Sequence, residues 1–263
     1  MIPRAYILQW QESAPWKTNA QIEQDLVISR VLASLYTDEM IRENLAFRGG
    51  TALHKLFLTP QSRYSEDIDL VQITAKPFGP FIDRISEKLA FLGKPKKKQK
   101  ERNNTLIFQF ETEFQPVQVV KLKIETNCRE HFCVLGYNSF PFEVKSAWFN
   151  GDCNITTYHI EELLGTKLRA LYQRSKGRDL YDLYKALTQL PGLDVGKILD
   201  CYREYMKFVV EQPPSQQVFL HNLEEKMKDK HFLGDIYALI RPEEVYGQNA
   251  AFELVKEELI EKI

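Results

Sequence analysis

Apolar positions recur along this chain with two different periods. In NAQIEQDLVISRVLASLY, Ile22, Leu26, Ile28, Val31, Leu32 and Leu35 fall near helical spacing, which predicts an amphipathic helix with Asn19 as its N-cap. DEMIRENLAF predicts a second short helix running into LAFRGG, and TALHKLFL a third that stops at the loop marked by Pro60 and Ser62. DIDLVQI alternates with a period of two, as a strand does, and FIDRISEKLAFLG returns to helical spacing. TLIFQFETEF and VQVVKLKIETN are β-rich runs parted by Gln115 and Pro116, the pattern of a hairpin or meander. From about residue 159 the spacing is helical to the end, with breaks at LPGLD, EQPPSQQ and IRPEE. No internal repeat or long low-complexity segment interrupts this order. It predicts an α+β protein, with an α/β domain over residues 1–155 and a helical domain over residues 156–263.

Composition narrows the class. The 263 residues suit one large domain or two small ones, and 44% hydrophobic with 27% charged residues is the balance of a globular chain. No run of 18 apolar residues occurs, and MIPRAYILQWQESAPWK is interrupted by Gln9, Gln11 and Glu12, so neither a membrane span nor a secretory signal is expected. Cys128, Cys133, Cys153 and Cys201 lack the CxxC spacing of a zinc site, and read as reduced thiols of a cytoplasmic protein. A formal net charge of −1 argues against indiscriminate coating of nucleic acid. Basic residues are nevertheless concentrated in KPKKKQKERNN, Lys94 to Asn104. This stretch reads either as a solvated loop or edge strand or as an arm that contacts RNA phosphates through Lys96, Lys97, Lys98, Lys100 and Arg102.

The chemistry is concentrated in FRGGTALHKLFLTPQSRYSEDIDLV, Phe47 to Val71. Gly49 and Gly50 have no Cβ and permit a tight turn close to a ligand, while Thr51 opens a helix whose free N–H groups favour an anion. Asp67 and Asp69 lie two apart on the predicted strand, so their carboxylates share a face about 7 Å apart, with Ile68 and Leu70 on the buried side. Two hard oxygen donors beside a phosphate cradle suit Mg²⁺. In VKLKIETN the charged Lys121, Lys123 and Glu125 alternate with apolar residues. If that strand adjoins the first, Glu125 joins the acids as a metal ligand or as the base that deprotonates an attacking hydroxyl. Taken singly these features describe a turn, a solvated strand end and an exposed sheet face. Their order is that of metal-dependent nucleotidyltransferases.

FRGGTALHKLF…RYSEDIDLV, then KIETN, then EELLGTKLRALYQRSKGRDLYDLY, resembles the AbiEii/AbiGii nucleotidyltransferase toxin family, which includes the MenT toxins, over roughly residues 20–190. The resemblance implies a polymerase-β-like mixed sheet with flanking helices, NTP as substrate, and Mg²⁺ or Mn²⁺ as cofactor. It also implies the toxin of a toxin–antitoxin or abortive phage-infection system, neutralised by a partner encoded nearby. Some relatives add nucleotides to the 3′ acceptor end of tRNA. By motif, Gly49, Gly50 and Thr51 match the glycine turn, Asp67 and Asp69 the metal pair, Lys167 the helical lysine that holds NTP phosphates, and Asp179 the RDxxD aspartate. Glu125 matches a strand glutamate. The segment HKLFLTPQSRYSE is longer than in the wider superfamily but fits this family, and Thr126 stands where many members have an apolar residue.

Without the resemblance, Lys167 and Arg169 read as a helix face, with Glu161 and Glu162 near its N-terminus. Asp179 and Asp182, at i and i+3, read as acids that orient Lys167 or Arg178. Tyr172, Tyr181 and Tyr184 read as packing, and His54 and His131 as structural. Two rival functions fit the same residues: nucleotide transfer to a protein or small molecule, and a non-catalytic binding module with vestigial acids.

Overall fold

The structure, a computed structural model, describes residues 2–100 and 103–263. Helix α1 (Arg4–Trp10) leads to α2 (Asn19–Tyr36), the longest in the fold. Thr18, rather than Asn19, caps α2: its hydroxyl accepts from the Gln21 N–H, and the Gln21 side chain accepts from the Thr18 N–H. This reciprocal arrangement satisfies two of the N–H groups that a helix start leaves free. Helix α3 (Glu39–Asn44) ends one residue before β1 (Leu45–Arg48), so the expected helix across LAF is a strand. An apolar run of three residues has no readable period. Here the sheet decides, because β1 lies between two partners that supply its backbone hydrogen bonds.

The glycines open α4 (Gly49–Ala52), which continues as one wide π-type turn, Leu53–Phe57. Strand β2 (Ile68–Gln72) follows, then α5 (Gly79–Lys88), β3 (Lys96–Lys100), β4 (Asn103–Glu111), β5 (Val119–Asn127), β6 (Tyr137–Lys145) and β7 (Asn150–Tyr158). Among the described residues these strands form one mixed seven-stranded sheet in the order β3-β4-β5-β2-β1-β7-β6. β2 runs parallel to β5 and β1 to β7, and every other pairing is antiparallel. The hairpin expected from TLIFQFETEF and VQVVKLKIETN is β4–β5. Strands β6 and β7 escaped the periodicity reading. Pro141 sits within β6, where an edge position tolerates a missing N–H donor.

The remaining helices are α6 (Ile160–Gln173), α7 (Gly177–Gln189), α8 (Val195–Lys207), α9 (Gln216–Lys226), α10 (Lys230–Gly234) and α11 (Gln248–Glu258). One apolar core packs α2 against the sheet through residues such as Leu26, Val31, Ile68, Leu70, Leu122 and Ile124. A second lies among the helices, with Leu164, Leu168, Leu183, Ile198, Tyr202 and Val255. Leu56 enters the first core and Leu53 the second, so the segment after the glycines is gripped from both sides. Helix α6 packs on α8 at Gly165, where a Cβ would stand 2.8 Å from the Ile198 carbonyl oxygen and 2.9 Å from the Tyr202 nitrogen. Backbone atoms cannot step aside as a side chain can. Gly165→Ala is therefore expected to destabilise the protein by roughly 1–3 kcal/mol in urea unfolding, as overpacked cores do.

Candidate active site

The sheet register assembles the acids. Asp69 of β2 pairs directly with Glu125 of β5 on one side and Arg48 of β1 on the other, and paired residues present their side chains on one face. Asp67 lies one residue before β2, with Ile68 and Leu70 buried on the opposite face as expected. Asp67, Asp69 and Glu125 line one cavity of about 150 Å³ together with Gly50, Glu66, Lys167, Arg174 and Arg178.

At position 49 glycine is required beside these acids. Gly49 has φ +81°, a backbone state that disfavours a side chain, and a Cβ there would stand 2.2 Å from the Asp69 carboxylate. At Gly50 a Cβ would stand 2.5 Å from the Arg63 guanidinium. Thr51, expected among the ligand-binding residues, is buried. Its hydroxyl bonds the Ser65 hydroxyl at 2.8 Å and donates to the Asp67 carbonyl, so it shapes the chain before Asp67 and does not line the cavity.

Lys167 projects from α6 into the cavity and is anchored from behind by two buried carboxylates of α7. Its ammonium lies 2.7 Å from Asp182 and 3.1 Å from Asp179. Asp182 also accepts two bonds from the Arg63 guanidinium, at 2.6 and 2.7 Å, and one from His54 at 2.9 Å. Burial works to raise the Asp182 carboxyl, but Arg63, Lys167 and His54 outweigh it and hold it well below the usual carboxylate range. Asp179 is likewise lowered against its burial by Lys167 and Arg174, the latter bonding it at 2.7 and 2.8 Å. Asp179, expected as a catalytic residue, thus lies under the cavity as a support for Lys167 and Arg174. Arg178 pairs with Asp235 at 3.7 Å and not with either of these acids. His54 is structural, as expected, and burial together with Arg63 pushes its imidazole down to about 4.

A second cavity, of about 200 Å³, adjoins the first across Gly50, Asp69, Lys167 and Arg174 and adds Arg48 and Arg169. Glu130 joins these two arginines, at 2.5 Å from Arg48 and 2.8 Å from Arg169. Four cations, one from β1 and three from α6 and its C-cap, therefore face one space. Arg48, Arg63 and Arg174 were missed in the sequence, where each stands within six residues of a recognised site residue but at no spacing that marks it. A third cavity, of about 480 Å³, meets the first at Tyr64, Glu66 and Asp67, and is lined by Gln21 and Gln24 of α2 and by Lys121 and Lys123 of β5.

Among the described residues, no three His, Cys, Asp or Glu side chains are placed to hold a metal ion unaided. The expected ligands Asp67, Asp69 and Glu125 are neighbours along the cavity wall rather than a formed cage. Mutual repulsion keeps carboxylates apart, and Lys123 stands 3.5 Å from Asp67. Burial raises the Asp67 carboxyl to about 6, with Glu66, Asp69 and Glu125 adding to the rise and Lys123 opposing it. An acid held this way gains from a cation. The donor set fits Mg²⁺, which takes one or two carboxylates and completes its shell with water and substrate phosphates.

Of the basic stretch, Lys96, Lys97, Lys98 and Lys100 lie on the edge strand β3, and Arg102 lies outside the described residues.

A mixed sheet that presents two aspartates two residues apart behind a glycine turn, with a lysine-bearing helix facing them, defines a nucleotidyltransferase. The chain belongs to the AbiEii nucleotidyl transferase toxin family of type IV toxin–antitoxin systems, whose family model matches residues 30–255. Among solved structures it is similar to MenT4, a nucleotidyltransferase toxin from Mycobacterium tuberculosis H37Rv, at 16% identity and TM-score 0.69. That match covers 100% of this chain and 91% of the other. It is also similar to a candidate nucleotidyltransferase from H. pylori, at 17% identity and TM-score 0.56 over 93% of this chain and 96% of the other. A search of curated proteins finds no match. At these identities the likeness to solved structures is one of fold.

Two outcomes follow from the buried charges. Asp182→Ala leaves Arg63 and Lys167 short of a shared counter-charge and is expected to cost about 3–5 kcal/mol in denaturant unfolding. Asp235→Ala, at the half-buried pairs with Lys176 and Arg178, is expected to cost under about 1 kcal/mol. The second concerns Asp67, whose folded-state pKa lies above its unfolded value of about 3.9. Its contribution to stability is present below that value and is lost as pH rises through 6. In chelator, the melting temperature of Asp67→Asn minus that of wild type is therefore expected to grow between pH 4 and pH 6 and then level off.

Proposed function

We propose that this chain transfers a nucleoside monophosphate from an NTP to RNA, with the 3′ end of tRNA as acceptor, in a reaction that requires Mg²⁺ or Mn²⁺. The observation that carries this reading is the succession of three adjoining cavities. The cationic one borders Asp69, the central one holds the acids, and the third opens at Asp67.

In this reading Arg48, Lys167, Arg169 and Arg174 bind the triphosphate beside the Gly49–Gly50 turn. The buried Asp179 and Asp182 hold Lys167 aimed at it, so little side-chain freedom is lost on binding. Asp67 and Asp69 would hold the metal ion, with Glu125 beside them. When bound, the metal supplies positive charge that offsets the negative charge developing on the transferred phosphoryl group. An acceptor hydroxyl attacks the α-phosphorus, its proton passes to Glu125, the bond to the β-phosphate oxygen breaks, and pyrophosphate leaves. The exposed basic strand β3 supports a polyanionic acceptor over a protein or small molecule.

Membership of the family implies an antitoxin partner. We place that antitoxin in a neighbouring reading frame and the toxin in the cytoplasm, acting in phage defence by abortive infection. Among the described residues no helix is long and apolar enough to cross a membrane.

The test incubates purified protein and Mg²⁺ with total tRNA and each α-³²P-labelled NTP, wild type beside Asp69→Ala. Label is expected in tRNA from wild type, and lower by on the order of 10²-fold or more in the variant, because charge neutralisation at the transferred phosphoryl group is lost. Label that enters only protein would move the acceptor to the first rival class. Toxicity retained by both Asp67→Ala and Asp69→Ala would establish the non-catalytic module instead.

A further inference from the structure

The basic strand β3 is two-faced. Lys98 pairs with Thr105 of β4, Thr105 with Glu125 of β5, and Glu125 with Asp69 of β2. Residues paired across neighbouring strands share a face, so Lys98 lies on the face that carries the acids. Lys96 and Lys100, two residues to either side, share that face. Lys97 does not. Its row runs through Leu106, Ile124 and Ile68, all buried on the core side, and its ammonium lies 3.6 Å from Asp83 of α5.

A lysine row with members about 7 Å apart is thus laid beside the acids. It leads toward the cavity that meets them at Asp67. Lys96 pairs with Ile107, and Ile107 with Lys123, whose ammonium stands 3.5 Å from Asp67 in the wall of that cavity. The opposite end of the site is the cationic cavity flanked by α6.

We propose that the RNA acceptor reaches the acids from the β3 side. Its backbone lies on Lys96, Lys98 and Lys100, and its 3′-terminal nucleotide occupies the cavity between the start of α2 and the start of β5, with Lys121 and Lys123 as positioning residues. The NTP takes the α6 side. This inference rests on the RNA-transfer reading above and adds the direction of approach and the face that carries it. Charge complementarity selects a polyanion, and continuity with the cavity at Asp67 selects a chain end rather than a duplex interior.

The experiment measures anisotropy of a fluorescent stem-loop RNA with a single-stranded 3′ tail across a KCl series. Proteins are wild type, the triple variant K96A/K98A/K100A and the single variant K97A, each also titrated with labelled NTP. The triple variant is expected to lower the slope of log affinity against log salt by about 2, since each single-strand phosphate contact contributes about 0.7. K97A is expected to match wild type, and NTP binding to be unchanged in all three. A 4-thiouridine at the RNA 3′ end is expected to crosslink to peptides spanning 18–24 or 119–123. An unchanged slope in the triple variant, an equal loss in K97A, or crosslinks to the α6 segment 166–174 would overturn the proposal. Wild type that binds NTP but no RNA would overturn the RNA reading itself.

Discussion

Lys167 sits between Asp182 and Asp179, and the geometry of the site depends on that buried cluster. The lysine comes from α6, the acids from α7, Arg63 from the loop before β2, and His54 from the turn after the glycines. The lysine, the arginine and the two acids cannot be left alone out of water, where an unpaired charge costs several kcal/mol, and His54 adds a hydrogen bond to Asp182. The helices and the sheet are therefore locked in one relative position, because moving either would strand a charge. Arg63 in turn packs on Gly50, so the same cluster sets the glycine turn against the acids.

The acids show the opposite economy. Asp67 is partly desolvated among Glu66, Asp69 and Glu125, and its carboxyl is raised rather than lowered. One end of the site is thus built from compensated charge that fixes structure. The other holds charge in excess of its compensation, which a substrate and its cation would relieve. Sites that bind and react commonly give up stability in this way. Lys123 offsets the excess in part, and stands where the sheet face opens toward β3.

Open-face chemistry on a sheet is a matter of register. Arg48, Asp69, Glu125, Thr105 and Lys98 form a single row across five strands. A slip of one residue at any pairing would turn part of that row into the core. The buried Ile68, Leu70, Leu122 and Ile124 on the opposite face exclude such a slip, so apolar packing on one side positions charge on the other.

Much of this could be read in the sequence. The Gly49–Gly50 turn, the Asp67/Asp69 pair, the alternation that puts Glu125 on a polar face and the helical lysine Lys167 are local patterns, set by backbone sterics and by the two-residue period of a strand. They were enough for the family and the class of fold. What the sequence could not contain was pairing between distant segments. That β1 is a strand, that Thr51 turns inward, that Asp179 supports rather than lines the cavity, and that Arg48, Arg63 and Arg174 converge all depend on contacts across many residues. The same holds for the two faces of β3, since five consecutive basic or polar residues carry no sign of which face meets the core. Local preference determines most of the elements that form, β1 being the exception. Only the burial of apolar surface and the pairing of buried charge in the folded chain decide which side chains meet.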